Sequence, residues 1–88
     1  MKQFLFPAVF IKSEGEYTVV FPDLNITTEG DTMEEAFLFA KDYLRVYCTY
    51  TLKFDVEMDR PSTFSDVQQK YNGDTVMLVD VILDPNKL

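Results

Sequence analysis

Residues 4 to 11, "FLFPAVFI", are apolar at every position. A strand with no polar alternation is one covered on both faces. Pro7 cannot donate to a ladder, so it marks either a bulge or the true start of the strand. "KSEGE" is a turn carrying a glycine, and "YTVVF" follows with Tyr17, Val19 and Phe21 on one face. "PDLN" makes a second turn, and "ITTEG" is a short, β-branched, half-polar third strand.

The period then changes from two to 3.6. Thr32 is a good N-cap and Glu35 stands three residues on, the pattern of a capping box. Met33, Ala36, Phe37, Ala40, Leu44 and Cys48 form one apolar stripe at helical spacing. Phe39, Tyr43, Tyr50 and Phe54 lie beside it. At 100° per residue the two sets cover about half the circumference, which is broad for a helix on one sheet. Either a second helix or loop packs over them, or they form a dimer contact. "FDVEMDRPS" is polar and ends at a proline, so the helix stops near Leu52 or Phe54. Thr63 and Asp66 open a second, shorter helix, "FSDVQQKY", broken by "NGD". "TVMLVDVIL" is a final strand and "DPNKL" a tail.

The expected order is therefore β-β-β-α-α-β. Short links permit an antiparallel meander of three strands. The fourth arrives after a long helical crossover and can lie parallel to the first. This predicts an α+β fold, a four-stranded mixed sheet with helices on one face, and a strand order matching part of the RNase H fold. The second apolar face of the first strand then needs its own cover, for which self-association is the simple candidate.

Composition agrees with one domain spanning residues 1–88. The chain is 47% apolar and holds few Gly or Pro, so one core is possible although a chain this size buries only about 60–65% of its unfolded surface. A lone cysteine, Cys48, makes no internal disulfide, which fits a reducing, cytoplasmic setting. No run approaches the roughly 18–20 apolar residues of a membrane span.

The net charge is −7, and its placement adds more than its size. From Ser13 to Ala40 the acids are Glu14, Glu16, Asp23, Glu29, Asp31, Glu34 and Glu35, with no Lys or Arg among them. The rest of the chain holds as many acids as bases. This segment is a poor nucleic-acid surface, because phosphate contacts need cations. A basic protein partner is its natural complement. The plainer reading is solubility together with acids favoured by a helix dipole.

Catalytic options are few. The chain has no His, which excludes Ser-His-Asp, Cys-His and imidazole acid–base schemes and zinc sites built on Cys and His. Cys48 falls on the helix stripe and reads as core. Gly15, Gly30 and Gly73 are too scattered for a phosphate cradle. Carboxylates are able to hold Mg²⁺, but nothing in their spacing picks out a ligand set. An RNase H-type nuclease needs an acid on the first strand, and residues 3 to 11 contain none. No cofactor or metal is expected. Asp80, the one acid in the last strand, faces either solvent or a partner.

The stretch "FPAVFIKSEGEYTVVFPDLNITTEGDTMEEAFLFAKDYL" resembles the HicB antitoxin family. The matching residues are Phe6 to Phe10, Tyr17 to Leu24, Gly30 to Thr32, Glu34 to Ala36, and Ala40 with Lys41. "FPDL" followed in register by "GDT-x-EEA" is the specific part of the signature. The final "VMLVDVIL" also fits, and residues 46 to 74 fit loosely. The resemblance implies a partial RNase H-like domain without nuclease activity. In the family this domain binds and blocks a small basic HicA toxin, an mRNA interferase. Family members commonly carry Pro-Gly-Cys where this chain has Asn25-Ile26-Thr27, so that turn must differ. Many also continue into a DNA-binding domain. This chain ends at Leu88 without a basic helix, so direct DNA binding is not expected of it.

Three readings follow. The first is an antitoxin that docks a basic toxin through Asp23, Glu29, Asp31, Glu34 and Glu35. The second is an orphan, self-associating HicB-like domain, a homodimer or higher oligomer with no toxin. The third is a carboxylate-based metal hydrolase, which rests on the acids alone.

Overall fold

A computed structural model describes residues 1–88. The elements are β1 (Lys2–Ser13), β2 (Glu16–Phe21), β3 (Ile26–Gly30), α1 (Met33–Lys53), α2 (Phe64–Lys70), β4 (Thr75–Leu83) and a closing 3₁₀ turn (Pro85–Lys87). They appear in the expected order. The sheet has four strands in the order β3-β2-β1-β4.

The meander of β1, β2 and β3 is antiparallel, with Phe10 opposite Val19 and Val19 opposite Thr28. The fourth strand corrects the expectation of a mixed sheet. It pairs with β1 antiparallel, Lys2 opposite Leu83 and Phe10 opposite Thr75. The cause is the path between β3 and β4. One helical pass would deliver a parallel strand. Here α1 runs back along β3's direction, the chain turns, and α2 makes a second pass, so β4 enters from the other end.

The second pass also corrects the expectation of helices on one face. Side chains alternate across a strand, so Phe6, Ala8 and Phe10 point to one face of β1 and Pro7, Val9 and Ile11 to the other. Ala36, Ala40, Leu44 and Cys48 of α1 pack with Phe6, Ala8, Phe10, Val19, Phe21, Val79, Val81 and Leu83. Val67 of α2 packs instead with Val9 and Val76. The sheet is thus sandwiched: a 21-residue helix on one side and a seven-residue helix on the other. Pro7 lies where β1 has β4 as its recorded partner and β2 pairing has not begun. That half-free stretch suits a residue with no N–H.

Local chemistry sets the ends of α1. The Glu35 N–H donates to Thr32 Oγ1 (3.0 Å), and Glu35 Oε1 accepts from the Asp31 N–H (3.2 Å). This is a capping box shifted one residue outward. At the other end Asp55 takes a left-handed conformation (φ 51°), and the Val56 N–H donates to the Thr51 carbonyl (3.0 Å). That is a Schellman stop. Gly30 serves close approach: a Cβ there would lie 2.5 Å from the Ala36 nitrogen.

Because α2 went to the far face, nothing packs over the second set of apolar positions on α1. Phe39, Tyr43, Val46, Tyr50 and Phe54 remain exposed. The segment after α1 adds Met58 to the edge of the core and holds Tyr47, whose hydroxyl accepts from the Asp59 N–H (3.0 Å). No helix is long and apolar enough to cross a membrane.

Candidate protein-binding surface

The acids expected to face a partner do not act as one set. Asp23 sits in the β2–β3 turn and is spent within the fold. Its carboxylate accepts the Ser62 N–H at 2.9 Å and the Ser62 hydroxyl at 2.6 Å. These bonds tie the crossing from α1 to α2 against the turn. The adjoining Asn25 has φ 55°, a conformation Asn tolerates. The Leu24 N–H donates to the Phe21 carbonyl (3.1 Å), and with Asn25 in that conformation the turn closes.

Glu29, Asp31, Glu34 and Glu35 stand at the other end of β3, roughly 15–20 Å away by strand rise. The β3–α1 junction gathers them, because Gly30 lets the first turn of α1 sit directly against the strand end. Glu16 joins them and was not among the expected contacts. It lies on the same sheet face as Glu29, diagonal to it, since Thr18 opposes Glu29 and Tyr17 opposes Gly30. Its carboxyl is held above its usual range by the charge of Glu29 and a side-chain hydrogen bond to it, then by desolvation and by Asp31. The signal was available: adjacent antiparallel strands joined by a short turn put Glu16 beside the far end of β3.

None of these acids is neutralised internally. The one ion pair in the molecule joins Lys41 to Asp80 at 3.6 Å, and Gln3 donates to the same carboxylate at 3.3 Å. Asp80 is thus paired within the chain. Lys41 comes from the α1 side, round the unpaired edge of β4. The corner of Glu16, Glu29, Asp31, Glu34 and Glu35 therefore keeps its field. No three of the carboxylates and the thiol converge in a way that would hold a metal ion. Burial pushes the Cys48 thiol up to about 11, so it stays protonated and inert as a nucleophile near neutrality.

Apolar surface adjoins the corner. Met33, Phe37, Leu38 and Met77, with Glu34 on the rim, line a groove of about 360 Å³ between the first turns of α1 and the start of β4. The outer edge of β4 is unpaired along its whole length. On the α2 side of the sheet Leu5, Leu78 and Ile82 are exposed. This too was readable: "VMLVDVIL" is apolar at both alternating sets of positions except Asp80, although it proves to be an edge strand.

Comparison with known proteins gives one family and one fold. The family model described as "HicB_like antitoxin of bacterial toxin-antitoxin system" matches residues 6–88. Among curated protein sequences none matches. A solved "Toxin-Antitoxin complex from Streptococcus pneumoniae" contains a chain that superposes with a TM-score of 0.77 at 19% identity, over 98% of this chain and 72% of that one. The N-terminal domain of Burkholderia pseudomallei antitoxin HicB superposes with a TM-score of 0.78 at 22% identity, over 91% of this chain and 100% of that domain. In a second solved structure of that antitoxin, described without the restriction to the N-terminal domain, the match has a TM-score of 0.78 at 22% identity and covers 91% of this chain and 63% of that one. At these identities the solved structures speak for the fold.

Proposed function

This chain belongs to the HicB-like antitoxin family of bacterial toxin–antitoxin systems, and from that premise we propose that it binds and neutralises a small basic toxin of the HicA type. The mode is stoichiometric masking of an RNA-cleaving protein in the cytoplasm, with no covalent step by the antitoxin. The observation that carries this reading is the acidic corner at the β3–α1 junction. Five carboxylates, Glu16, Glu29, Asp31, Glu34 and Glu35, lie at one end of the molecule without a lysine or arginine of the chain paired to any of them. A fold gains nothing from mutual repulsion strong enough to raise the Glu16 carboxyl. A cationic partner relieves that repulsion on docking, and an RNA-binding surface is such a partner. The apolar groove beside Glu34 supplies the desolvated contact that charge alone lacks.

Asp23 leaves the set of partner-facing residues, because Ser62 occupies it. The experiment is co-expression with the basic protein encoded beside it, followed by titration calorimetry of the purified pair. The triple charge reversal of Glu29, Asp31 and Glu34 to Lys should weaken binding at least about a hundredfold at low salt, since close interfacial charges each contribute about 1.5 kcal/mol or more. The far-ultraviolet circular dichroism spectrum should stay unchanged. Affinity that is unchanged at low salt would overturn the electrostatic reading.

A further inference from the structure

Four methionines and one cysteine carry the chain's sulfur, and the fold places them unevenly. Cys48 is fully buried, and burial pushes its thiol up to about 11. It is closed to oxidants, which act on exposed thiolates. No methionine belongs to the thirteen-residue core. Met1 is 90% exposed at the chain's end. Met58 rests on the edge of the core. The other two, Met33 and Met77, line the same groove beside the acidic corner, with Phe37, Leu38 and the rim residue Glu34. The remaining apolar surface carries no sulfur: the outer flank of α1 exposes Phe39, Tyr43 and Val46, and the α2 face exposes Leu5, Leu78 and Ile82.

Two distant segments meet to build this groove. Met33 is the first residue of α1, and Met77 lies near the start of β4. Met77 stands opposite Ala8 of β1, whose side chain is too small to fill the space above it. Phe37, stacked on Phe10 with ring centroids 6.3 Å apart, forms the wall between. Both methionines pack against the core and stay half-buried. An unbranched thioether adapts its shape, which suits a surface that closes on an apolar side chain of a partner. The same sulfur is open to a peroxide. Its lone pair attacks one peroxide oxygen, an S–O bond forms, the O–O bond breaks and water leaves. The sulfur loses two electrons and the peroxide gains them. The sulfoxide oxygen then needs a hydrogen-bond donor. Met33, Phe37, Leu38 and Met77 offer none from their side chains, and the Glu34 carboxylate is itself an acceptor.

We propose that Met33 and Met77 are an oxidation site on the docking surface: a peroxide converts their thioethers to sulfoxides, and the modified groove releases the cationic partner while the fold persists. The inference rests on the toxin reading above. Docking onto the oxidised groove would strip water from polar oxygens that find no donor there. The free chain is the form that reacts, because a bound toxin covers both sulfurs. Reversal belongs to a methionine sulfoxide reductase. Two thiols supply two electrons, the sulfoxide oxygen leaves as water, and the thiols become a disulfide. The core itself offers the oxidant nothing, since its one sulfur is the buried Cys48.

The test treats the full chain with hydrogen peroxide, removes the excess with catalase, locates the sulfoxides by peptide mass spectrometry and titrates the product with the basic protein encoded beside it. Sulfoxide should form at Met33 and Met77, and the dissociation constant should rise at least about tenfold. The circular dichroism spectrum should not change. Toxin added before the peroxide should slow reaction at both positions relative to Met1. Methionine sulfoxide reductase should restore the affinity. Met58→Leu should lose affinity on oxidation as the wild type does. The double variant Met33→Leu, Met77→Leu, whatever its starting affinity, should keep that affinity through the treatment. Four results overturn the inference alone: wild-type affinity retained with both sulfoxides in place, an equal loss in the double variant, a loss of the circular dichroism signal on oxidation, or unreacted groove methionines once Met1 is fully converted. An untreated chain that fails to bind the toxin overturns the toxin reading and this inference together.

Discussion

The two faces of the sheet are covered by unequal helices, and the inequality divides the labour of the molecule. On one side α1 presents Ala36, Ala40, Leu44 and Cys48, all fully buried, to a continuous core of thirteen residues. On the other, α2 contributes a single buried residue, Val67, to a cluster of three. It leaves Leu5, Leu78 and Ile82 in contact with solvent. The first face holds the fold. The second is held by little and keeps apolar surface available. A small domain has enough apolar material to seal one face only, and placing the long helix there frees the outer flank of α1, the β4 edge and the α2 face for other contacts.

The largest effect expected from this comparison is the contrast between Leu44→Ala and Val67→Ala. Leu44 is fully buried at the centre of the α1 interface. Its truncation should cost about 3 kcal/mol, a large share of the roughly 5–10 kcal/mol of a domain this small. Val67→Ala should cost about 1 kcal/mol. It should act mainly on α2, with the rest of the sheet still cooperative. Urea denaturation followed by circular dichroism gives the two totals, and hydrogen exchange locates them. Equal losses at the two sites would show that the faces share one cooperative core.

Much of this arrangement was legible in the chain, and the remainder was not for a definable reason. Local features were read correctly: the capping residues Thr32 and Glu35, the stripe from Met33 to Cys48, the helix stop near Phe54 and the three-strand meander all depend on neighbours within a few positions. The direction of β4 and the face taken by α2 depend on which side of β1 the second helix meets. "FLFPAVFI" is apolar on both sides, so it expresses no preference between them. The Asp23–Ser62 bond was illegible for the same kind of reason. Ser62 is 39 residues away, and nothing near "FPDL" announces the bond. Glu16 was within reach, because register follows from a short hairpin.

Asp23→Ala sharpens the comparison at the place where the chain crosses from one face to the other. The Asp23–Ser62 pair fixes the crossing segment beside the β2–β3 turn, so its loss should cost about 1 kcal/mol. The loosening should appear as faster exchange of the Ser62 amide and faster proteolysis between Asp55 and Pro61. The amides of α1 should keep their protection. Toxin affinity should be unaffected, since Asp23 lies away from the acidic corner. A loss of binding comparable to that of the triple reversal would return Asp23 to the partner-facing set.

The smallest effect concerns the corner itself, where the α2 face of the sheet ends in like charges. Glu16 titrates above its ordinary 4.5 in the folded protein because Glu29 repels its ionised form. The folded state therefore holds the Glu16 proton more tightly than the unfolded state does. Its contribution to stability is complete below 4.5 and is lost as pH rises through the raised folded value, after which it stays constant. Glu16→Gln removes this dependence and one member of the repelling pair. The variant should unfold at a slightly higher temperature than wild type at neutral pH, with the difference shrinking as pH falls through the raised folded value towards 4.5. Added salt should shrink it too, because the groups are exposed and screened. A difference that grows on acidification would mean that Glu16 is stabilised as a carboxylate, and the corner would then be compensated from within the fold instead of awaiting a cation from outside.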